Sequence, residues 1–401
     1  MITDQKNNNQ IMEIAKELIS QGLEGIGPIL QALYNEVMKI ERSQAIQADP
    51  YERSDNRKGY ANGFKEKTLN SRSGQLKLQI PQVRGMSFYP SSLEKGSRSE
   101  KALKLAIAEM YIKGVSTRKV QAITEKLCGL EISSTTVSKM TKILDEEFTL
   151  FRNRLLGAFS YIYIDAHYVK IRHGGTVISM AVLVAIGVNE EGRREILGIS
   201  TSLSEAEVHW REFLKSLVTR GLHGIKLIIS DDHIGLKKAR ESVFPSIPWQ
   251  RCQFHMSQNA QKYAPKKEYK HDIADTMRDI FQSPNKEMAL IMKNQAINKY
   301  LEKAPAFSRW LDKNIEEGLT CYNFPRQHQK KIRTTNPIER INREIKRRVR
   351  VAVLFPNEAS ALRLVTGVLS EIHDDWITER KYLDMELTNN RIEQKEFLKC
   401  I

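Results

Sequence analysis

The sequence predicts an α/β protein: a mixed sheet covered by helices and interrupted by an all-α insertion, preceded by a helix-turn-helix and a small basic β module. Three observations lead to this fold class. Apolar runs of strand formers alternate with helical patterns between residues 157 and 256. Residues 257–330 are charged, helical in pattern and poor in strand formers. Helical patterns and one basic stretch with glycines fill residues 1–156.

Length and charge narrow the class of protein. The chain has 401 residues, of which 41% are hydrophobic, so it is long enough to bury cores in more than one domain. Its 63 Lys and Arg against 48 Asp and Glu leave a net charge of +15, which points to a polyanionic partner, most often nucleic acid and less often an anionic membrane surface. The longest apolar run, Met180–Val188, has nine residues. Because a spanning helix needs about 20, we expect no membrane partner.

The N-terminus and the cysteines indicate the compartment. The first ten residues have neither the apolar core of a secretory signal nor the pattern of an organelle presequence. The four cysteines, Cys128, Cys252, Cys321 and Cys400, are scattered and form no CxxC pair. A disulfide scaffold or a zinc ribbon is therefore not expected. Scattered cysteines fit a reducing compartment, so we expect a cytoplasmic protein.

The N-terminal region combines helices with a basic segment. Apolar residues at helical spacing predict two helices within residues 9–44. Arg53–Arg84 holds eight Lys and Arg against two Asp and Glu. Within it, Gln75–Val83 alternates polar and apolar residues, which predicts a strand, and Pro81 indicates an edge. The alternative interpretation of this segment is a solvated basic loop.

A helix-turn-helix is predicted between residues 116 and 144. Ser116 can cap a helix over Arg118–Leu127, which Gly129 can end in the left-handed conformation. After the turn, Ser133 can cap a second helix over Thr135–Leu144. The polar face of that helix carries Thr136, Lys139 and Lys142. Such a helix can enter the major groove of DNA, although a helical hairpin that only packs would have the same pattern.

The α/β region is predicted to contain five strands. They are Tyr161–Ile164, Val177–Val188, Glu195–Ser200, Lys226–Ser230 and Pro248–Phe254, with a helix over Glu205–Val218 after the third. The second strand is too apolar to be one-sided, so we expect it to be buried on both faces. The insertion is predicted to have three or four helices, whose core positions are Met277, Ile280, Phe281, Met288, Ile291, Met292, Trp310, Leu311 and Ile315.

Two aspartates directly follow apolar strands. Asp165 comes after Tyr161–Ile164, and Asp231 comes after Lys226–Ser230. Open α/β sheets place their sites outside the carboxyl ends of strands, where a carboxylate can meet a metal ion. Taken singly, each aspartate is more simply explained as a turn residue.

A third carboxylate begins a basic helix. Arg326–Arg350 holds ten Lys and Arg against two Glu. Within it, Asn336 is predicted to cap a helix whose third position is Glu339, and Glu339 could simply reach back to the Asn336 amide. The buried stripe is predicted to be Ile338, Ile341, Ile345 and Val349, and the face beside it carries Glu339, Arg343, Lys346 and Arg350. One carboxylate followed by cations fits a metal ligand beside a row of phosphate contacts.

Together these residues indicate phosphoryl transfer on nucleic acid. Two Asp and one Glu suit a hard divalent ion such as Mg²⁺. Two such ions, about 4 Å apart, can activate an attacking oxygen and stabilise the leaving oxygen of a phosphodiester. The basic helix would hold the polyanion.

Five motifs carry a resemblance to a known family. They are Tyr163-Ile164-Asp165-Ala166, Ser230–Leu236 (SDDHIGL), Cys252-Gln253-Phe254-His255, Arg333–Arg343 (RTTNPIERINR) and Val353–Ser360 (VLFPNEAS). With these motifs the chain resembles the IS256 (Mutator-type) insertion-sequence transposases over roughly residues 50–370. Tyr111–Asp145 is similar to that family's helix-turn-helix region, and Asn56–Arg84 is similar to its upstream basic segment.

The resemblance implies a DDE transposase with an RNase H-like catalytic core. Asp165, Asp231 and Glu339 would be its catalytic, metal-binding triad, with Mg²⁺ as cofactor and Mn²⁺ as a substitute. The acids are separated by 66 and 108 residues, and the second interval is long enough for the helical insertion. One departure is Asp232, at a position that is usually small in the family, and it remains an alternative ligand. The residues expected to support the site are Cys252, His255, His233, Asn336 and Arg340.

Cys252 and His255 match the family's CxxH element. We expect a buried Cys and a hydrogen-bonding His in the fifth strand, near the site. A bound zinc ion is the alternative, although two ligands are fewer than the four that a structural zinc needs.

The expected activity is binding, cleavage and strand transfer at the terminal inverted repeats of an insertion sequence. The partners would be double-stranded end DNA and target DNA, with the protein a homodimer or higher oligomer near the nucleoid. The residues expected to contact DNA are Arg118, Lys119, Thr136, Lys139, Lys142, Arg333, Arg343, Lys346, Arg347 and Arg350. The alternatives are a non-catalytic DNA-binding regulator and a structure-specific nuclease.

The expected organisation has six parts. They are an N-terminal helical and basic β module (1–95), a helix-turn-helix region (96–156), the first part of the catalytic core (157–256), the helical insertion (257–330), the rest of the core with the Glu-bearing and following helices (331–372), and a helical tail (373–401).

Overall fold

The computed structural model describes residues 26–53, 55–350 and 354–386. The first helix predicted within residues 9–44, Cys400 and most of the predicted tail lie outside the described residues. The chain divides into two compact units, Met1–Leu144 and Asp145–Ile401, which we call the N-terminal unit and the C-terminal unit. Among the described helices, none combines the length and the apolar character needed to cross a bilayer.

The described N-terminal unit begins with a helix packed on a β hairpin. The second predicted helix is confirmed as α1 (Ile26–Ile46). β1 (Tyr60–Ser71) and β2 (Gly74–Arg84) pair antiparallel, so the basic segment is a hairpin and not a loop. Alternation along β2 buries Leu76, Leu78 and Ile80, whereas the polar residues between them lie toward solvent. The resulting core consists of Met38, Leu69, Leu76, Leu78, Ile80 and Leu93.

Three helices complete the N-terminal unit. They are α2 (Lys101–Ile112), α3 (Thr117–Cys128) and α4 (Ser134–Met140), the last continuing as a 3₁₀ turn over Thr141–Leu144. The predicted caps are confirmed: the hydroxyls of Ser116 and Ser133 accept hydrogen bonds from the amides of Lys119 and Thr136. Gly129 ends α3 with φ 62°. The second predicted helix is therefore present but shorter than expected.

The C-terminal unit is built on a five-stranded mixed sheet in the order β5-β4-β3-β6-β7. After α5 (Asp145–Asn153), the elements are β3 (Phe159–His173), β4 (Thr176–Asn189), β5 (Arg194–Ser202), α6 (Glu207–Thr219), β6 (Leu227–Ser230), α7 (Ile234–Val243) and β7 (Trp249–Arg251). β3, β4 and β5 pair antiparallel, whereas β6 and β7 run parallel to β3. The mixed α/β class and its five strands are thus confirmed.

Helices pack on both faces of this sheet because successive side chains of β3 point to opposite sides. Ile162 and Ile164 face α6 and α7 in one apolar cluster. Tyr161 and Tyr163 face the other way, and their hydroxyls bond to His328 Nδ1 at 2.8 Å and the Lys331 carbonyl at 3.2 Å, in α12 (Arg326–Ile332). Two further helices, α13 (Asn336–Val349) and α14 (Glu358–Thr378), lie on this side as well. The second of them continues past residue 372, where the last part of the catalytic core was predicted to end.

Helices fill the stretch between β7 and α12. They are α8 (Gln253–Ala260), α9 (Tyr269–Phe281), α10 (Lys286–Tyr300) and α11 (Pro305–Asn314). Most predicted core positions are buried in one cluster, but Met288 and Ile291 are 42% and 50% exposed. That prediction was wrong because α10 turns a different stripe inward, formed by Ala289, Lys293, Ala296 and Tyr300.

Some predicted strand boundaries were also wrong. β3 does not stop at Asp165 but continues to His173, because β4 pairs with it over its whole length. The fifth strand ends at Arg251 and not at Phe254, because its neighbour β6 ends opposite Arg251 and offers no further ladder partners. β4 is buried on both faces only from Met180 onward, and its first residues are mostly exposed.

Candidate active site

Strand register brings the two predicted aspartates together. In the parallel pair of β3 and β6, the last partners are Ile164 and Ser230. Asp165 and Asp231 are the next residues on the two chains, so they lie side by side where β6 ends. Burial and, after it, the charge of Asp231 raise the pKa of Asp165 to about 7. Two acids that compete for ionisation in this way favour a bound cation between them.

The start of α8 places His255 between the second and third acids. The amide of Cys252 donates to the Ser230 carbonyl at 2.9 Å, and Cys252 caps α8, so His255 lies in the first turn of a helix and not in a strand as predicted. Its Nδ1 forms an ion pair with Oδ1 of Asp231, and its Nε2 lies 3.8 Å from Oε1 of Glu339. Burial lowers the pKa of His255, but hydrogen bonds to Asp231 and Cys252 outweigh it and raise the pKa to about 10.

The third acid, Glu339, lies on α13. The start of this helix is hydrogen-bonded to Cys252, the residue that follows β7. Thr335 donates from its amide and its hydroxyl to Sγ of Cys252, at 3.4 and 3.3 Å. Thr335, and not Asn336 as predicted, is the residue that caps the helix. Oε1 of Glu339 is buried and has no hydrogen-bond partner among the described residues. The explanation of Glu339 as a capping-box residue therefore loses its support.

Asn342 is a site residue that the sequence analysis missed. Its Nδ2 donates to Oδ2 of Asp165 at 2.8 Å, and its Oδ1 is buried without a partner in the described part of the chain. Asn342 follows Glu339 by three positions, a spacing that puts both on one helix face. That spacing is the signal that could have identified it.

Asp232 points away from the other acids. Its Oδ2 lies 2.9 Å from Nη2 of Arg251, whose side chain is 3% exposed. Nη1 of Arg251 lies 3.1 Å from Glu317. Asp232 therefore serves a buried arginine, whereas Asp231 faces His255.

Three predicted supporting residues make their described contacts elsewhere. Nδ1 of His233 lies 3.6 Å from Glu205, and Asn336 is exposed at the first position of α13. Arg340 lines a cleft of about 470 Å³ between α13 and α14. Of the predicted supporting set, His255 pairs with Asp231 and approaches Glu339, and Sγ of Cys252 lies within 4.8 Å of a carboxylate oxygen of Asp231.

The residues predicted to contact DNA differ in their exposure and in their contacts with other side chains. Arg118, Lys119, Lys139, Lys142, Arg343, Lys346 and Arg350 are exposed. Thr136 is half-buried and its hydroxyl bonds to Ser133. Arg347 pairs with Glu344 at 2.6 Å, and the half-buried Arg333 uses its carbonyl to accept from the Gln253 amide. On α13 the predicted buried stripe holds for its three isoleucines, whereas Val349 is only half-buried.

The zinc alternative gains a third donor from the fold. Ligand atoms of Asp231, Cys252 and His255 all lie within 4.8 Å of one another. Each is engaged, however: Sγ of Cys252 accepts two hydrogen bonds from Thr335, and Nδ1 of His255 is paired with Asp231. Cys252 is also fully buried. The contacts favour a structural role for this pair.

Comparison with known proteins assigns the chain to a family. The model of the Mutator family of transposases matches residues 2–379. The chain is 48% identical over 369 residues to the transposase for insertion sequence element IS406 of Burkholderia multivorans, covering 92% of this chain and 95% of that protein. It is 38% identical over 364 residues to the transposase for element IS256 in transposon Tn4001 of Staphylococcus aureus, covering 89% and 93%. The transposase for element ISRM5 of Rhizobium meliloti is 38% identical over 372 residues, covering 92% and 93%. The chain therefore belongs to the Mutator family of transposases.

Proposed function

We propose that this protein is a DDE-type DNA transposase that cleaves DNA at the ends of an insertion sequence and transfers the strand to a target. One observation carries the proposal: Asp165, Asp231 and Glu339, far apart in sequence, are linked through His255 and Asn342 at the end of one strand. The strand order, with the first acid on the central strand and the second after its parallel neighbour, supports an RNase H-like core.

The donor set fits a divalent cation. The buried Oε1 of Glu339 lacks a hydrogen-bond partner among the described residues, and Asp165 has a raised pKa beside Asp231. Oxygen ligands of this kind are those that Mg²⁺ prefers, with Mn²⁺ as a substitute. When bound, the metal would supply Lewis-acid activation of the attacking oxygen and of the scissile phosphate. Asp165, Asp231 and Glu339 would hold it.

The neighbouring residues keep the acids in place. Asn342 donates a hydrogen bond to one oxygen of Asp165 and so fixes the orientation of that carboxylate. His255 contacts Asp231 on one side and approaches Glu339 on the other, so one imidazole sets the distance between the two acids. Cys252, which accepts from Thr335, ties the start of α8 to the start of α13. Hydrogen-bonded neighbours of this kind orient metal ligands and tune their affinity.

The positive side chains would bind DNA. Arg343, Lys346 and Arg350 are exposed on the helix that carries Glu339, where they can hold phosphates next to the acids. In the N-terminal unit, Lys139 and Lys142 are exposed on and just after the second helix of the predicted helix-turn-helix, which we infer to recognise the terminal inverted repeats. Because two element ends must be joined, we further infer a homodimer or higher oligomer that works on DNA at the nucleoid.

Cleavage of end DNA tests the proposal. A labelled duplex carrying the inverted repeat would be incubated with Mg²⁺ and the wild type, Asp165→Asn, Asp231→Asn or Glu339→Gln, and binding would be measured on the same duplex. We expect the wild type to cleave at the element end, and the three variants to bind but not cleave. Glu287→Gln, an exposed carboxylate of α10, is the matched control and should cleave normally.

Two results would contradict the proposal. Tight binding without cleavage by the wild type, in Mg²⁺ and in Mn²⁺, would indicate a DNA-binding regulator. Equal cleavage of end DNA and of random duplex would indicate a nuclease without end recognition.

A further inference from the structure

A cleft separate from the one that Arg340 lines lies between α8 and α11 of the C-terminal unit, beside Asp231 and Asp232. Its volume is about 640 Å³, within the range of about 300–1,000 Å³ typical of small-molecule sites. The lining residues that matter here are Asn259, Lys262, Tyr263, Arg309, Trp310 and Lys313. They combine aromatic rings with positive charge, the composition that binds unpaired nucleic acid.

The aromatic part of the cleft is a stack of three rings. The rings of Tyr263 and Trp310 stack with centroids 5.5 Å apart and planes at 26°. Phe307 stacks on Trp310 as well, with centroids 6.3 Å apart, and the guanidinium of Arg251 lies 5.9 Å from the Trp310 ring centroid. Trp310 is 9% exposed whereas Tyr263 is 41% exposed. The stack therefore ends in one accessible ring, that of Tyr263, which is supported on its other face by Trp310.

The charged part of the cleft is positive. Lys262, Arg309 and Lys313 are exposed, and none of them forms an ion pair with a described side chain. Two carboxylates close to these cations are paired with other positive side chains. Asp232 and Glu317 share the buried Arg251, and Glu317 also lies 2.6 Å from Lys237. An anion entering the cleft would therefore meet three exposed cations, while the carboxylate that lines the cleft, Asp232, is paired with Arg251.

The cleft adjoins the acids along two segments of chain. Asn259 follows His255 by four positions on α8, which places it about one helical turn further along the same face. Asp232, at the cleft's edge, follows Asp231 directly. A strand whose phosphate lies at the acids would thus have its next nucleotides at the cleft.

We propose that this cleft binds an unpaired nucleotide of the strand held at the acids, with its base on Tyr263 and its phosphates at Lys262, Arg309 and Lys313. The location beside the cleavage point rests on the proposed function. Every base has a π face, so recognition by stacking does not depend on sequence. A nucleotide drawn out of the duplex here would be unstacked from its neighbours, as enzymes that extrude nucleotides require.

Binding of a single strand tests the cleft without any need for cleavage. Anisotropy of a labelled 12-nucleotide oligo-dT would be measured with the full chain carrying Glu339→Gln, alone and combined with Tyr263→Ala, Tyr263→Phe or Lys313→Gln. We expect Tyr263→Ala to weaken binding by about tenfold, Tyr263→Phe to retain it, and Lys313→Gln to weaken it and reduce its salt dependence. Lys303→Gln, an exposed cation at the end of the neighbouring helix, is the control and should bind as the parent does.

The position of the cleft is tested with 2-aminopurine placed beside the cleavage site of end DNA. Its fluorescence should rise on binding and the rise should be smaller with Tyr263→Ala.

Equal oligo-dT affinities for the parent, Tyr263→Ala and Lys313→Gln would overturn the cleft proposal, even if the wild type cleaves end DNA. Tyr263-dependent binding of oligo-dT by a protein that cleaves nothing would leave the cleft standing and reject the transposase activity. Melting of each variant, followed by circular dichroism, verifies that it is folded.

Discussion

Nδ2 of Asn342 and Oδ2 of Asp165 are joined by a hydrogen bond of 2.8 Å between residues 177 positions apart. The bond connects the central strand of the sheet to the helix that carries Glu339. It also acts on the acid itself, because the hydrogen bond lowers a pKa that burial and Asp231 raise to about 7. Asn342 is thus a positioning residue for Asp165.

Replacing Asn342 tests that role. Asn342→Ala should reduce cleavage by about 10–100-fold, the usual effect of removing a neighbour of a metal ligand. The Mg²⁺ concentration for half-maximal cleavage should rise, whereas affinity for end DNA should not change, because Asp165 would lose its orientation but not its charge. Asn294→Ala, exposed on α10, is the control. An unchanged Mg²⁺ dependence would reject a positioning role.

Metal-dependent melting distinguishes Asp231 from Asp232. Mn²⁺ should raise the Tm of the wild type, since a ligand at 100 times its Kd stabilises the folded state by about 2.7 kcal/mol. Asp231→Asn should lose this increase. Asp232→Asn should keep it but melt at a lower temperature without metal, because Arg251 loses one of its two carboxylates. If Asp232→Asn loses the increase and Asp231→Asn keeps it, the assignment of the ligand is reversed.

An ion pair between a buried arginine and a half-exposed aspartate joins α5 to α14. Nε and Nη2 of Arg363 lie 2.6 and 2.7 Å from the two carboxylate oxygens of Asp145, and the Arg363 side chain is 5% exposed. Asp145→Ala should lower the free energy of unfolding by about 3 kcal/mol, because it leaves a buried guanidinium unpaired. The double variant Asp145→Ala with Arg363→Met should recover part of that loss in urea titrations. If the losses of unfolding free energy measured for Asp145→Ala and for Arg363→Met alone simply add in the double variant, the two residues are not coupled.

His373 should make stability depend on pH. Burial and, after it, the charge of Arg154 lower the pKa of His373 to about 4, and its Nδ1 accepts a hydrogen bond from the Ile196 amide at 3.3 Å. An unfolded histidine has a pKa of about 6.5, so between these values only the unfolded chain takes up the proton. The contribution of neutral His373 to the free energy of unfolding is therefore fully present above about pH 6.5 and is lost as the pH drops toward 4. The total loss is about 3 kcal/mol, because each pKa unit corresponds to about 1.36 kcal/mol.

Urea titrations at pH 7 and pH 4.5 measure this effect. His373→Gln should flatten the pH dependence of the unfolding free energy, while His173→Gln, which changes an exposed residue at the end of β3, should not. Equal pH dependences for the wild type and His373→Gln would show that His373 is not the group responsible.

Much of the secondary structure followed from local patterns. The caps at Ser116, Ser133 and Gly129 were predicted correctly because they depend on residues within one turn of the helix end. The five strands were recognised because apolar runs stand out from polar flanks. Their ends were less accurate: β3 passes through Asp165 because β4 supplies hydrogen-bond partners that no local pattern reveals.

The types of most elements, the three candidate acids and the cations beside them could be predicted from the chain alone, because residue chemistry and short-range periodicity are local properties. The neighbours of those residues could not be predicted in this way, because they follow from the fold. That Asp231 meets His255 while Asp232 meets Arg251 depends on how the chain leaves β6. Likewise, the contact of Asn342 with Asp165 and the joining of Tyr263 and Trp310 in one cleft depend on how helices distant in sequence pack against the sheet and one another. Such contacts are fixed by strand register and helix orientation, and these are set by the packing of the whole unit.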